Sequence, residues 1–138
     1  MHDLEKARSL LEKENYTCVI CRGDDVITDR RRGVRPLLEL LESGKDLHGY
    51  SAADKVVGKA AAFLYCLLGV KALHAGVLSV PARDVLVSAG IFVEWGSLVP
   101  AIRNRAGDGF CPMETAVWDL TDPALAPDAI RIALQKLS

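Results

Sequence analysis

Apolar positions change their spacing several times along this chain, and each change predicts an element. Over Asp3–Lys13, Leu4, Ala7, Leu10 and Leu11 fall on one stripe at helical spacing, so an amphipathic helix is expected. Tyr16–Cys21 and Val26–Asp29 read as short strands, and the Arg22-Gly23-Asp24-Asp25 turn between them makes a hairpin. Pro36 suits the first turn of a helix running to Ser43, with Gly44 as its stop. Ser51 then reads as the N-cap of a long helix, Ala52–Leu68, ended by Gly69. That segment is apolar almost all round after Lys59, so it is expected to be buried.

Ala72–Ser79 reads as a strand, Pro81 opens a helix ending near Gly90, and Ile91–Trp95 is a further strand. Ser97–Arg105 is expected to be partly helical, followed by the loop Ala106-Gly107-Asp108-Gly109. A helix from Cys111 to about Leu120, a Pro123 turn and an amphipathic helix, Pro127–Leu137, close the chain. Strands alternating with helices imply parallel pairing through crossovers. The expected architecture is an α/β sandwich whose mixed sheet combines the N-terminal hairpin with parallel strands, flanked by helices.

A chain of 138 residues fits one domain, residues 1–138. Half of it is hydrophobic and a quarter charged, which excludes disorder and fibrous structure. The net charge of −1 gives no basis for bulk binding to nucleic acid or to an anionic membrane surface. The longest apolar run, Ala60–Val70, is far shorter than the roughly 20 residues that span a bilayer, and it lies mid-chain. A cytoplasmic protein is expected, and with it reduced thiols. Cys18 and Cys21 have C-x-x-C spacing but lie on a strand, where positions three apart face opposite ways; both read as buried structural thiols.

Two segments could carry chemistry. In Asp54-Lys55-Val56-Val57-Gly58-Lys59, a helix would place Lys55 and Lys59 on one face, with Asp54 beside them. Gly58 costs about 0.8–1 kcal/mol inside a helix, so a close approach to its backbone is expected. The bland alternative is a pair of solvated lysines. The second segment runs from Arg103 to Glu114. Gly107 and Gly109 free successive backbone amides, and Arg103 and Arg105 offer planar donors to a carboxylate or phosphate. Cys111 falls at the N-cap, where the helix field favours a thiolate, and Glu114 at the capping-box position. The bland alternative here is an inert Cys111, with Glu114 reaching back to its own helix cap.

Other residues add little. His2, His48 and His74 are scattered, without zinc-ligand spacing, so no metal or other cofactor is expected. The run Arg30–Arg32 reads as a solvated hairpin end, and Trp95 and Trp118 as too isolated for a stacking platform.

Three blocks carry a resemblance: Gly33-Val34-Arg35-Pro36-Leu37-Leu38, Ala53-Asp54-Lys55-Val56-Val57-Gly58-Lys59-Ala60-Ala61, and Asn104-Arg105-Ala106-Gly107-Asp108-Gly109-Phe110-Cys111-Pro112-Met113-Glu114. Together they resemble domain-of-unknown-function family 1893, a family of uncharacterised bacterial proteins, over residues 4–120. The resemblance implies a cytidine-deaminase-like three-layer fold and self-association, as a homodimer. Zinc deaminases place a metal-binding His or Cys with a catalytic Glu at one core helix start, and Pro-Cys-x-x-Cys at the next. Here those places fall, by element order, on Ala53-Asp54-Lys55 and Val80-Pro81-Ala82-Arg83, which lack the ligands. The deaminase arrangement would instead gather Asp54, Lys55, Lys59, Asn104, Arg105, Cys111 and Glu114 into one pocket.

Three functions stay open at this point. One is a metal-free pocket for a small anionic or nucleotide-like ligand, held by Lys59, Arg103, Asn104, Arg105, Glu114 and the amides of Gly107 and Gly109. Another is an enzyme with Cys111 as nucleophile, Lys55 as acid/base and Asp54 orienting that lysine. The last is a non-catalytic module for oligomerisation or protein binding.

Overall fold

The computed structural model describes residues 2–104, 106–107 and 109–137. Helix α1 (His2–Lys13) leads into the hairpin β1 (Cys18–Arg22) and β2 (Asp25–Asp29), followed by α2 (Arg35–Glu42). Then come β3 (Ser51–Val57), α3 (Lys59–Leu68), β4 (Ala72–Ser79), α4 (Val80–Ser88) and β5 (Phe92–Val99). A short α5 (Pro112–Val117), a 3-10 turn (Pro123–Leu125) and α6 (Ala126–Leu137) complete the chain.

The five strands form one mixed sheet in the order β2-β1-β3-β4-β5. β1 pairs antiparallel with both β2 and β3, whereas β3–β4 and β4–β5 are parallel. Helix α1 covers one face, packing Ala7 and Leu11 on Val19, Cys21 and Ala53. The larger core lies on the other face, where α3 contributes Ala60–Tyr65 and Leu68, with α2, α4, α5 and α6 around it. The result is a three-layer α/β sandwich, as the sequence implies. Cys18 lies in the large core and Cys21 in the small one, so the C-x-x-C pair does face opposite ways.

The largest departure concerns the segment that holds Asp54 and Lys55. Ser51 caps no helix, and residues 51–57 are the central strand, paired on both sides. The β-branched pair Val56-Val57 and Gly58 mark the boundary. Gly58 is extended (φ −98°, ψ −176°) and is itself the N-cap of α3. Partners on both edges outweigh the weak helical preference of Ala52-Ala53-Asp54-Lys55. Two shorter corrections concern the C-terminal half. Residues 97–99 continue β5 rather than starting a helix, and Arg103 instead forms an isolated bridge with Phe110. Helix α5 ends at Val117, before Leu120.

Strict alternation breaks in one row across three strands. Ala75 and Leu78 both lie in the large core although three residues apart, as do Ala52 and Val57 five apart. A regular pleat would put each pair on opposite faces. Lys55, Gly76 and Gly96 occupy the row where the break occurs. A Cβ on Gly76 would lie 2.7 Å from the Lys55 carbonyl oxygen, and one on Gly96 would lie 2.8 Å from that of Gly76. Glycine is therefore required by the neighbouring strand, and the break keeps Val57 and Leu78 buried at the carboxyl ends of β3 and β4.

Candidate functional site

Two of the sequence-predicted segments meet at the start of α3. Glu114 of α5 is 2% exposed, and its Oε1 accepts a hydrogen bond from Ala60 N–H at 3.2 Å. It therefore caps α3 from across the core and makes no cap bond to its own helix, contrary to the capping-box expectation. Its Oε2 is buried without a hydrogen-bond partner among the described residues. Burial raises the Glu114 carboxyl above its ordinary value, and the α3 amides and Lys59 oppose that shift. Gly58 answers the close approach expected of it: a Cβ there would lie 2.2 Å from Glu114 Oε1.

Lys59 follows directly. Its Nζ donates to the Trp118 carbonyl at 2.7 Å and lies 5.5 Å from the centre of the Phe63 ring. The Trp118 ring stacks on Phe110 with centroids 6.2 Å apart. The Arg103 guanidinium lies over the same Phe110 ring at 5.1 Å. Asn104 N–H donates to the Gly109 carbonyl and Gly107 N–H to that of Asn104, folding this loop onto itself. Arg105 lies outside the described residues. Cys111 is half-buried at the N-cap of α5, where its own side chain makes no cap bond.

Asp54 and Lys55 are engaged elsewhere. Because residues 51–57 are a strand, Lys55 and Lys59 do not share a helix face. Lys55 Nζ donates to Asn15 Oδ1 at 2.8 Å, just after α1. Asp54 Oδ2 accepts from the Tyr65 hydroxyl at 2.7 Å, and the Cys18 sulfur lies 3.2 Å from that hydroxyl. With the Tyr65 proton given to Asp54, the Cys18 thiol is left to donate to the Tyr65 oxygen. Burial pushes the Asp54 carboxyl up to about 7, even against the Tyr65 bond. The Cys18 thiol and Tyr65 hydroxyl are raised by the same burial, so neither ionises near neutrality.

Two arginines of the Arg30–Arg32 run are engaged as well. Arg31 bridges Asp29 and Glu39, and Arg30 lies over the Tyr16 ring. His74 is buried against Glu94, which also meets Arg8. Among the described residues, no three His, Cys, Asp or Glu side chains converge as a metal centre requires.

Sequence reasoning missed a cleft of about 480 Å³ beside Lys59. Phe63 of α3, Val80, Pro81, Asp84 and Val85 of α4, and Leu120, Thr121 and Pro123 line it with that lysine. It begins beside the carboxyl ends of the adjacent parallel strands β3 and β4 and runs along α4 to Ser88 and Ala89. Its walls are mainly apolar, with the Thr121 and Ser88 hydroxyls, the Asp84 carboxylate and the Lys59 ammonium as polar points. Asp84 is already met by Arg83 at 3.3 Å. The available signal was the pairing of Gly58 with Pro81, each opening a helix directly after a strand.

Compared with known proteins, residues 6–133 match the domain-of-unknown-function family DUF1893. No curated protein matches the chain. Among solved structures, a DUF1893 family protein from Thermotoga maritima is similar at 29% identity. The similarity covers 98% of this chain and 90% of that one, with a TM-score of 0.86.

Proposed function

The chain belongs to the DUF1893 family, and on that premise we propose that it binds a small anionic ligand in the cleft at the starts of α3 and α4. The observation that carries this reading is the position of Lys59, a cation on the wall of a mostly apolar crevice that runs along α4 from the carboxyl ends of two parallel strands. A volume of about 480 Å³ falls within the range of small-molecule pockets. Lys59 neutralises a carboxylate or phosphate, Val80, Pro81 and Leu120 take an apolar or ring-bearing body, and Thr121 and Ser88 supply hydroxyls. Nucleotide-like compounds meet this description.

In the deaminase-like frame implied by the resemblance, the first core helix starts at Gly58-Lys59-Ala60, not at Ala53-Asp54-Lys55. The second starts at Val80-Pro81-Ala82-Arg83. Neither start carries a thiolate or imidazole, so the residues do not fit a deaminase zinc and no step is routed through one. The nucleophile reading of Cys111 has less support, because its proposed helpers are engaged elsewhere: Lys55 with Asn15 and Asp54 with Tyr65.

Native mass spectrometry of protein purified without added ligand tests the proposal. A co-purifying small molecule retained by wild type and lost from Lys59→Met supports it. A ligand retained equally by the variant places binding elsewhere and refutes it.

A further inference from the structure

The two edges of the sheet differ. At the β2 edge, Asp25 and Asp29 close the strand at both ends. The β5 edge carries no lysine, arginine or proline, and Phe92, Trp95 and Leu98 are 51%, 39% and 37% exposed on it. A long edge strand of this kind presents unpaired backbone groups, and natural proteins normally blunt or cover such an edge. Its single charge, Glu94, is already matched by His74 and Arg8. We propose that β5 is the interface with a second copy of this chain, pairing antiparallel with its own β5 about a two-fold axis between Trp95 and Gly96.

The break in alternation selects this register. Val93 packs on the large core, and Trp95 and Leu98 are paired with Ala75 and Leu78 of that core, so all three belong to the α4 side. Phe92, Glu94, Ser97 and Val99 fall on the α1 side. Opposed residues of an antiparallel pair must share a face. Without the break at Gly96, centring the axis between two residues would oppose side chains from different faces. With it, the faces agree for the whole strand: Phe92 opposes Val99, Val93 opposes Leu98, and Glu94 opposes Ser97 rather than a second glutamate. Trp95 then lies over Gly96 of the second copy, an aromatic covering a glycine across the strand pair. Pairing β5 with β2 of another copy would be head-to-tail, would not close by two-fold symmetry and would meet the aspartates.

Light scattering across protein concentrations tests this, with hydrogen exchange on the same samples. The mass is expected to rise from 14.9 kDa toward twice that value, and the amides of residues 92–99 to exchange more slowly at high concentration. Trp95→Lys, at a partly exposed position, is expected to weaken association at least tenfold with an unchanged circular dichroism spectrum. Should that variant misfold, concentration-dependent exchange in the wild type decides alone. A mass of 14.9 kDa throughout overturns the proposal, as does a mass that rises to the dimer while the β5 amides exchange equally at all concentrations.

Discussion

The Glu114 carboxylate occupies the space that a side chain on Gly58 would need: a Cβ there would lie 2.2 Å from Oε1 and 2.5 Å from Cδ. Gly58 is extended, at φ −98°, so alanine meets no backbone strain there. An alanine in a compatible backbone ordinarily stabilises by about 0.4–1 kcal/mol through the unfolded state.

Gly58→Ala is therefore expected to destabilise by about 1–3 kcal/mol, through overpacking alone. In a Glu114→Ala background the same change is expected to cost little. Urea denaturation of the two single variants and the double variant measures the coupling. Equal costs in both backgrounds would show that the carboxylate is not what demands glycine.

Asp54 predicts a pH dependence of known sign. Its folded value is pushed up to about 7 from an ordinary 3.8, so the folded chain holds an extra proton between those limits. The stability linked to that proton is fully present below about pH 4 and is lost as pH rises through 7. Asparagine keeps an acceptor for the Tyr65 hydroxyl and cannot ionise. The melting temperature of Asp54→Asn relative to wild type should rise steadily from pH 4 to pH 8. A difference that stays flat over this range would remove Asp54 as the titrating group.

Gly76 has a different neighbour. Alanine there would bring its Cβ to 2.7 Å from the Lys55 carbonyl, a backbone atom that cannot swing aside. Gly76→Ala is expected to cost about 1–3 kcal/mol in urea denaturation. A neutral outcome would mean that the aligned break across β3, β4 and β5 relaxes freely.

Much of the fold was legible because single segments declare themselves: the Leu4-Ala7-Leu11 stripe, the Gly23 turn, Pro81 after Ser79. Residues 52–57 did not, because Ala52-Ala53-Asp54-Lys55 has little preference of its own and its strand state comes from β1 and β4 on either side. That one misreading moved the candidate site, since it put Lys55 beside Lys59 and Asp54 beside both. Gly58 carried the correction, as the N-cap of α3 rather than a mid-helix glycine. Glu114 was found by its place after Cys111-Pro112-Met113, but its partner lies 54 residues away at Ala60, a distance no local pattern reports. The cleft walls from α4 and residues 120–123 come together only through packing, so they left no mark on the sequence beyond Pro81.

Binding in the proposed cleft requires Lys59 and not Lys55. Calorimetric titration of wild type, Lys59→Met and Lys55→Ala with a panel of nucleoside monophosphates and aromatic carboxylates separates the two lysines. A charged hydrogen bond contributes about 1.5–3 kcal/mol, so Lys59→Met should weaken the best binder roughly 10- to 100-fold while Lys55→Ala leaves it unchanged. Loss of binding in Lys55→Ala with Lys59→Met unaffected would contradict the account.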